Sequence, residues 1–216
     1  MRVLAVPIKS LERSKGRLAG TLSPAERAVL TMALLEDVLD ACFRQPGWDV
    51  AVVSRDQAVL EVAARRGARP VAEEGGSLLG AVRQVEATTR GRSSELAVLL
   101  GDLPYLTAGE LRHALALPGP VVAAPALSDG GTNLLLRRPA SVIPARFGRS
   151  SFAKHRWAAR RKGLKLVEAR GPGLERDLDR PADLAALVAS GHRGRARTAC
   201  LEMGLAARLL ERPVGA

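Results

Sequence analysis

The sequence predicts an α/β fold built on a mostly parallel mixed sheet flanked by helices. Three observations carry that prediction. Strand-length apolar runs alternate with helix-length segments almost throughout the chain. The run Leu96-Ala97-Val98-Leu99-Leu100 is apolar without alternation, as in a strand covered on both faces. Several of the turns between runs carry helix-capping residues, so strand gives way to helix at short range.

Arg2 to Pro7 reads as the first strand and leads into a loop holding Lys9, Arg13, Lys15 and Arg17. Mobile cations at a strand's carboxyl end suit a polyphosphate; the same composition also suits a plain solvated loop. Ser23-Pro24-Ala25-Glu26 is a capping box with proline at the first helical position. The helix behind it presents Leu30, Leu34, Leu35, Val38 and Leu39 on one face. Val50 to Val53 is a second strand, residues 57–66 a helix closed by Gly67, and Arg69 to Ala72 a short third strand. Glu73-Glu74-Gly75-Gly76-Ser77-Leu78-Leu79-Gly80 is a glycine-rich turn into another helix, a setting in which backbone N–H groups can approach a nucleotide. Any strand-to-helix turn can use glycine in this way.

The central strand at Leu96 ends in Gly101-Asp102-Leu103-Pro104, and Thr107-Ala108-Gly109-Glu110 is a second capping box opening a helix to about Leu117. Pro120 to Ala126 is a strand. The polar turn Ser128 to Asn133 follows, and Leu134 to Leu136 resumes strand character as at least one antiparallel member. That turn reads either as a hairpin or as an anion-binding loop, since Thr132 and Asn133 are good donors. Residues 146–152 open a helix in which glycine and serine flanked by arginine form a phosphate or carboxylate pocket; His155, on that helix, reads as a surface or loop-packing residue. Leu164 to Val167 is a strand. In Asp177-Leu178-Asp179-Arg180-Pro181, Asp179 or a neighbour caps the next helix, and the Asp-x-Asp pair also suits Mg²⁺ bridging phosphates. From Gly191 an arginine-rich link leads to an amphipathic helix through Leu201, Leu205 and Leu209.

At 216 residues the chain suits one domain over 1–190 with an Arg-rich helical extension over 191–216 packed on it. Hydrophobic residues make up 47% but aromatic residues only 3%, so the core must be leucine, valine and alanine. Thirty-three Lys and Arg against 22 Asp and Glu leave a formal charge of +11, a field that favours anionic partners. Cys42 and Cys200 are far apart and form no metal-type spacing. No apolar stretch approaches the roughly 18 residues of a spanning helix; no membrane association is expected, and the expected location is the cytoplasm. In open α/β sheets ligands bind beyond the carboxyl ends of the strands, which puts Asp102 where a metal ion and a phosphate meet.

Five stretches then stand together: Pro7-Ile8-Lys9 with Lys15-Gly16-Arg17-Leu18, Leu100-Gly101-Asp102-Leu103-Pro104, Asp129-Gly130-Gly131-Thr132-Asn133, Phe147-Gly148-Arg149-Ser150-Ser151-Phe152, and Asp177-Leu178-Asp179. Over about residues 2–190 they resemble the CofC/FbiD family of guanylyltransferases, which makes the phosphoester precursor of the deazaflavin coenzyme F420. Gly-Asp-Leu-Pro alone fits many nucleotidyltransferases; the Thr132 and Ser151 loops are more specific to this family. The resemblance implies a single-domain Rossmann-like nucleotidyltransferase fold and a reaction in which a phosphorylated three-carbon acid attacks the α-phosphate of GTP and pyrophosphate leaves. It implies that Asp102, Asp177 and Asp179 hold Mg²⁺, that Thr132, Gly148 and Ser151 bind the acid, and that Lys9, Lys15 and Arg17 hold the triphosphate, with Asp102 and those three cations as the catalytic set. Where the family often reads Gly-Leu-Asn before the nucleotide-side helix, this chain has Ser77-Leu78-Leu79, which leaves any base contact by that Asn without a counterpart.

Family members use phosphoenolpyruvate, 2-phospho-L-lactate or 3-phosphoglycerate. The alanine- and arginine-rich composition suits a high-GC bacterium, and bacterial relatives lean to phosphoenolpyruvate, which is the expected acceptor. A homodimer and a coupling to the enzyme that consumes the product stand as open expectations. Two other readings compete. A nucleotidyltransferase acting on molybdopterin or a sugar phosphate would carry a glycine-rich signature after the first strand, where this chain reads Val6-Pro7-Ile8-Lys9. A basic nucleic-acid-binding protein would carry a helix-turn-helix, a finger or aromatic stacking residues, and Tyr105 is the only tyrosine; no nucleic-acid partner is expected.

Overall fold

The computed structural model describes residues 1–89 and 95–210; the side chains of Arg13, Thr89 and Leu210, and the last six residues of the expected extension, lie outside the described residues. Seven strands form one sheet: β1 (Arg2–Pro7), β2 (Trp48–Ser54), β3 (Arg69–Ala72), β4 (Glu95–Leu99), β5 (Val121–Pro125), β6 (Thr132–Arg137) and β7 (Leu166–Glu168). Their order is β3-β2-β1-β4-β6-β5-β7. All neighbouring pairs are parallel except those of β6, which runs antiparallel to β4 and β5. β6 is reversed because the short turn between Pro125 and Thr132 has no room for a helical crossover. The chain builds β1, β2 and β3 outward in one direction and then returns to place β4 on the other side of β1. The gap between β1 and β4 is therefore the switch point at which such sheets bind ligands.

The helices are α1 (Pro24–Phe43), α2 (Gln57–Arg65), α3 (Leu78–Thr89), α4 (Ala108–Ala116), α5 (Ser151–Arg161), α6 (Pro172–Glu175), α7 (Pro181–Ala189), α8 (Arg195–Glu202) and α9 (Leu205–Leu210). Alternate residues of β1 supply both faces of the sheet. Leu4 and Val6 join a core built with α1, α2 and α4, while Val3 and Ala5 join one built with α3 and α5. Leu96 to Leu99 of β4 are fully buried, as a doubly covered strand requires. Each of its leucines contributes about 1.5–3 kcal/mol by leaving water. A third cluster joins the outer face of α1 to α7, α8 and α9 through Leu30, Leu34, Leu184, Cys200 and Leu205. No helix among the described residues is long and apolar enough to cross a membrane.

Both capping boxes form as read, Ser23 with Glu26 and Thr107 with Glu110. Three local expectations change. Thr132 and Asn133 are strand residues of β6 rather than turn residues, and the register of β5 shifts beside them, between Ala124 and Pro125. Asp179 does not cap α7. Asp183 accepts from the Asp179 and Arg180 amides instead, which frees the Asp179 carboxylate for other partners. The expected single C-terminal helix is two helices, because Gly204 takes φ +69° and closes α8, leaving Leu201 exposed.

Candidate active site

The loop after β1 makes two short 3-10 turns, Leu11–Arg13 and Gly16–Leu18, with Lys15 between them in the left-handed region at φ 50° and ψ 37°. That turn sends the Lys15 side chain back over the switch point. Its Nζ donates to Asp102 Oδ2 at 2.9 Å, to Asp179 Oδ1 at 3.3 Å and to the Leu178 carbonyl at 2.5 Å. All three donors of the ammonium are thus matched. Only 6% of the Lys15 side chain is exposed. Burial by itself would lower the ammonium's pKa, but the charges of Asp102 and Asp179 outweigh it and hold the pKa above its ordinary value. Arg17, exposed, donates to Asp179 Oδ2 at 3.2 Å. The Leu178 amide donates to the Asp102 carbonyl at 2.9 Å, which ties the Asp177–Asp179 segment to the end of β4.

A cleft of about 670 Å³ lies beyond the carboxyl ends of β1 to β4, with Lys9, Lys15, Glu73, Ser77, Asp102, Asp177 and Asp179 among its walls. Asp177 Oδ2 accepts from Ser128 Oγ at 2.9 Å. Burial, reinforced by the Asp102 charge, pushes the Asp177 pKa up to about 6 against the pull of the Ser128 bond. The other oxygens of this pair, Asp102 Oδ1 and Asp177 Oδ1, are buried without a partner. Two orphan carboxylate oxygens on one cleft wall fit a hard cation that takes oxygen ligands. Of the three carboxylates expected to hold Mg²⁺, Asp102 and Asp177 each keep an oxygen without a partner, while both Asp179 oxygens are taken by Lys15 and Arg17. Among the described residues no three acidic, histidine or cysteine side chains form a ready metal cage.

Opposite this wall, the loops at 129–131 and 148–152 are laced by backbone bonds from Ser150 to the Asp129 carbonyl and from Phe152 to the Gly130 carbonyl. Gly148 lines the cleft at φ +113°, a conformation open to glycine. The expected anion pocket at the start of α5 is partly closed. The Ser151 and Phe152 amides are already spent on the Gly148 and Gly130 carbonyls. Thr132, 2% exposed, lines the cleft and is bonded behind it, at 3.0 Å each, to Ser151 Oγ and to His155 Nδ1. His155 Nε2 accepts from the Arg146 amide at 2.8 Å. Burial, together with the charges of Arg137, Arg146 and Lys154, lowers the His155 pKa to about 4.

The structure thus gathers Lys15, Arg17, Asp102 and Asp179 into one ion-pair cluster with Asp177 beside it, and Thr132 and Ser151 into another. Lys9 lines the cleft as an exposed residue. Arg17 and Ser151 reach the site only through Asp179 and Thr132. Two residues escaped the sequence reading. Ser128 holds Asp177, and His155, expected at the surface or in loop packing, is fully buried with both ring nitrogens bonded. His155 sits four residues after Ser151, on the same face of α5, and that spacing was the available signal.

A family model described as "Guanylyl transferase CofC like" matches residues 1–213. A phosphoenolpyruvate guanylyltransferase of Sphaerobacter thermophilus is 43% identical over 195 residues, covering 88% of this chain and 93% of its own length. A 2-phospho-L-lactate guanylyltransferase of Methanothermobacter thermautotrophicus is 34% identical over 195 residues, covering 89% and 86%. Among solved structures, a nucleotide-diphospho-sugar transferase from Desulfovibrio desulfuricans G20, assigned that activity provisionally, superposes with a TM-score of 0.78 at 19% identity over 97% of this chain and 98% of its own. At that identity it bears on the fold alone.

Proposed function

Because the chain belongs to the CofC-like guanylyl transferase family, we propose that it transfers the guanylyl group of GTP to the phosphate of phosphoenolpyruvate and releases pyrophosphate. An oxygen of the acceptor phosphate attacks the α-phosphorus of GTP and forms the new P–O bond. The bond from the α-phosphorus to the oxygen bridging to the β-phosphate breaks, and pyrophosphate leaves with its electron pair. The nucleophile is already an anion, so no proton has to be removed from it. What the protein must supply is placement of two anions in line and neutralisation of their charge.

The observation that carries this reading is the Lys15 ammonium held between Asp102 and Asp179, with Asp102 and Asp177, both lining the same cleft, each keeping a partnerless buried oxygen. We assign Lys9, Lys15 and Arg17 to the triphosphate. The oxygen-only donor set suits Mg²⁺; Asp102 and Asp177 would hold it, and Asp179 would be a further ligand if freed from Lys15. The bound ion supplies charge neutralisation on the triphosphate and the leaving pyrophosphate. Thr132, Gly148 and Ser151 serve the acceptor acid. Phosphoenolpyruvate is the acceptor favoured by the 43% identical relative. The product carries a phosphoanhydride, so direct handover to the enzyme that consumes it suits this chemistry.

Phosphorus NMR of the product tests the reaction. GTP, Mg²⁺ and phosphoenolpyruvate are expected to yield one species with two mutually coupled phosphorus signals, plus free pyrophosphate. GMP and pyrophosphate without that species would mean hydrolysis, and would overturn the transfer.

A further inference from the structure

His155 belongs to none of the roles assigned so far, yet it is fully buried against the acceptor side of the cleft. Its ring lies edge-on to Phe147, with centroids 5.6 Å apart and planes at 72°. The hydrogen bonds around it leave one arrangement of protons. The Arg146 amide has a hydrogen and no lone pair, and it points at Nε2 from 2.8 Å. Nε2 must therefore accept, which places the proton of the neutral ring on Nδ1. Nδ1–H then donates to Thr132 Oγ1 at 3.0 Å.

Ser151 closes the other side. It is fully buried, and the Thr132 hydroxyl is the one side-chain partner of its Oγ among the described residues, at 3.0 Å. Fully buried and with Thr132 Oγ1 as its hydrogen-bond partner, the Ser151 hydroxyl donates its proton to Thr132. A hydroxyl has two lone pairs and one proton. Both lone pairs of Thr132 are now taken from behind, and its proton is left for the one open direction, the cleft that Thr132 lines.

We infer that His155 is a positioning residue: with Ser151 it fills both lone pairs of the Thr132 hydroxyl and so turns Thr132 into a fixed donor to an anionic oxygen of the acceptor acid. The inference rests on the acceptor assignment made above and adds to it the direction of the bond. A carboxylate or phosphate oxygen is accepted at this point, and a group that can only donate is refused. A protonated ring would lose the arrangement, because a second N–H would face the Arg146 amide. Burial and the cations Arg137, Arg146 and Lys154 keep the ring neutral.

The test compares the full-length protein with His155→Phe, His155→Asn, Thr132→Val and the double variant His155→Phe/Thr132→Val. KM is measured for GTP and for phosphoenolpyruvate, and phosphoenolpyruvate binding is measured separately by calorimetry. His155→Phe keeps the ring packing and removes the donor, and its KM and Kd for the acid should rise about tenfold, the loss of one oriented hydrogen bond, with KM for GTP unchanged. His155→Asn, whose amide can donate where Nδ1 did, should recover most of that loss. In the Thr132→Val background His155→Phe should change nothing further. Equal rises in both KM values, or an effect that multiplies with Thr132→Val, would overturn the inference and leave His155 a packing residue. If His155→Phe does not fold, Ser151→Ala, which vacates the other lone pair, should show the same acid-specific weakening, and a GTP-side effect there would overturn the inference. Wild-type protein that binds the acid in a His155-dependent manner but transfers nothing would sink the proposed function and keep the inference; no binding of the acid would sink both.

Discussion

Lys15 Nζ stands 2.9 Å from Asp102 Oδ2, so an ammonium carried by the loop after β1 neutralises the carboxylate at the end of β4. The two strands are hydrogen-bonded neighbours, although the residues are 87 positions apart in the chain. The bond fixes the Lys15 loop over the switch point. It also places a cation where a triphosphate would arrive next to the carboxylates that would carry its metal ion. Lys15 and Arg17 balance Asp102 and Asp179 before anything binds, which spares those two the cost of unpaired burial; Asp177 has no such cation and its pKa is raised.

Asp102→Asn is isosteric and removes the charge that pairs with Lys15 and that the proposed Mg²⁺ would need. Its turnover should fall at least about 100-fold at saturating Mg²⁺, a loss typical of removing one electrostatic stabiliser from a phosphoryl-transfer site. Pyrophosphate release under single-turnover conditions reads this directly. Near-wild-type turnover would remove Asp102 from the metal and triphosphate machinery.

Gly173 sits where α6 crosses the loop after β4. A Cβ there would lie 2.5 Å from the Tyr105 carbonyl and 2.8 Å from Leu106 Cα, both backbone atoms that cannot swing aside. Gly173→Ala should cost about 2–3 kcal/mol in urea unfolding, the range of core overpacking. Because α6 leads into Asp177, turnover should drop as well. An alanine variant of wild-type stability would mean that this loop yields easily.

The His155 pKa of about 4 lies below its ordinary value of 6.5, so the fold favours the neutral ring. That preference is fully present above about pH 6.5 and is lost as pH falls toward 4, because the unfolded chain binds the proton first. Between pH 7 and 4.5 wild-type protein should lose about 2–3 kcal/mol from this residue alone. His155→Asn, which has no titrating group, should show a correspondingly shallower decline in urea unfolding. Equal declines would mean that the buried ring titrates near its ordinary value.

Much of the scaffold was legible because its signals are local. Leu96 to Leu99 announces a doubly covered strand by composition, and Ser23–Glu26 and Thr107–Glu110 announce helix starts by spacing. The residues expected at the site also converge in large part, since strand ends and their following loops must meet at a switch point. What the sequence could not show is pairing across the chain. Nothing local to Lys15 says that it will find the Leu178 carbonyl 163 residues away, or that Asp179 will spend both oxygens on Lys15 and Arg17. His155 looked like one more polar residue on a basic helix. Only the packing of α5 onto the β5 and β7 side of the sheet, with Thr132 of β6 and the Arg146 amide beside it, buries it and gives both nitrogens partners.

The measurement that tests the central claim most directly is pyrophosphate release from GTP and Mg²⁺ with phosphoenolpyruvate, 2-phospho-L-lactate and 3-phosphoglycerate offered separately, in the presence of an enzyme that consumes the product. The proposed function, which follows the 43% identical relative, predicts release with phosphoenolpyruvate above the other two acids. Release with a different acid would correct the acceptor and keep the guanylyl transfer. Silence with all three, while GTP still binds the cleft, would contradict transfer to a phosphorylated three-carbon acid.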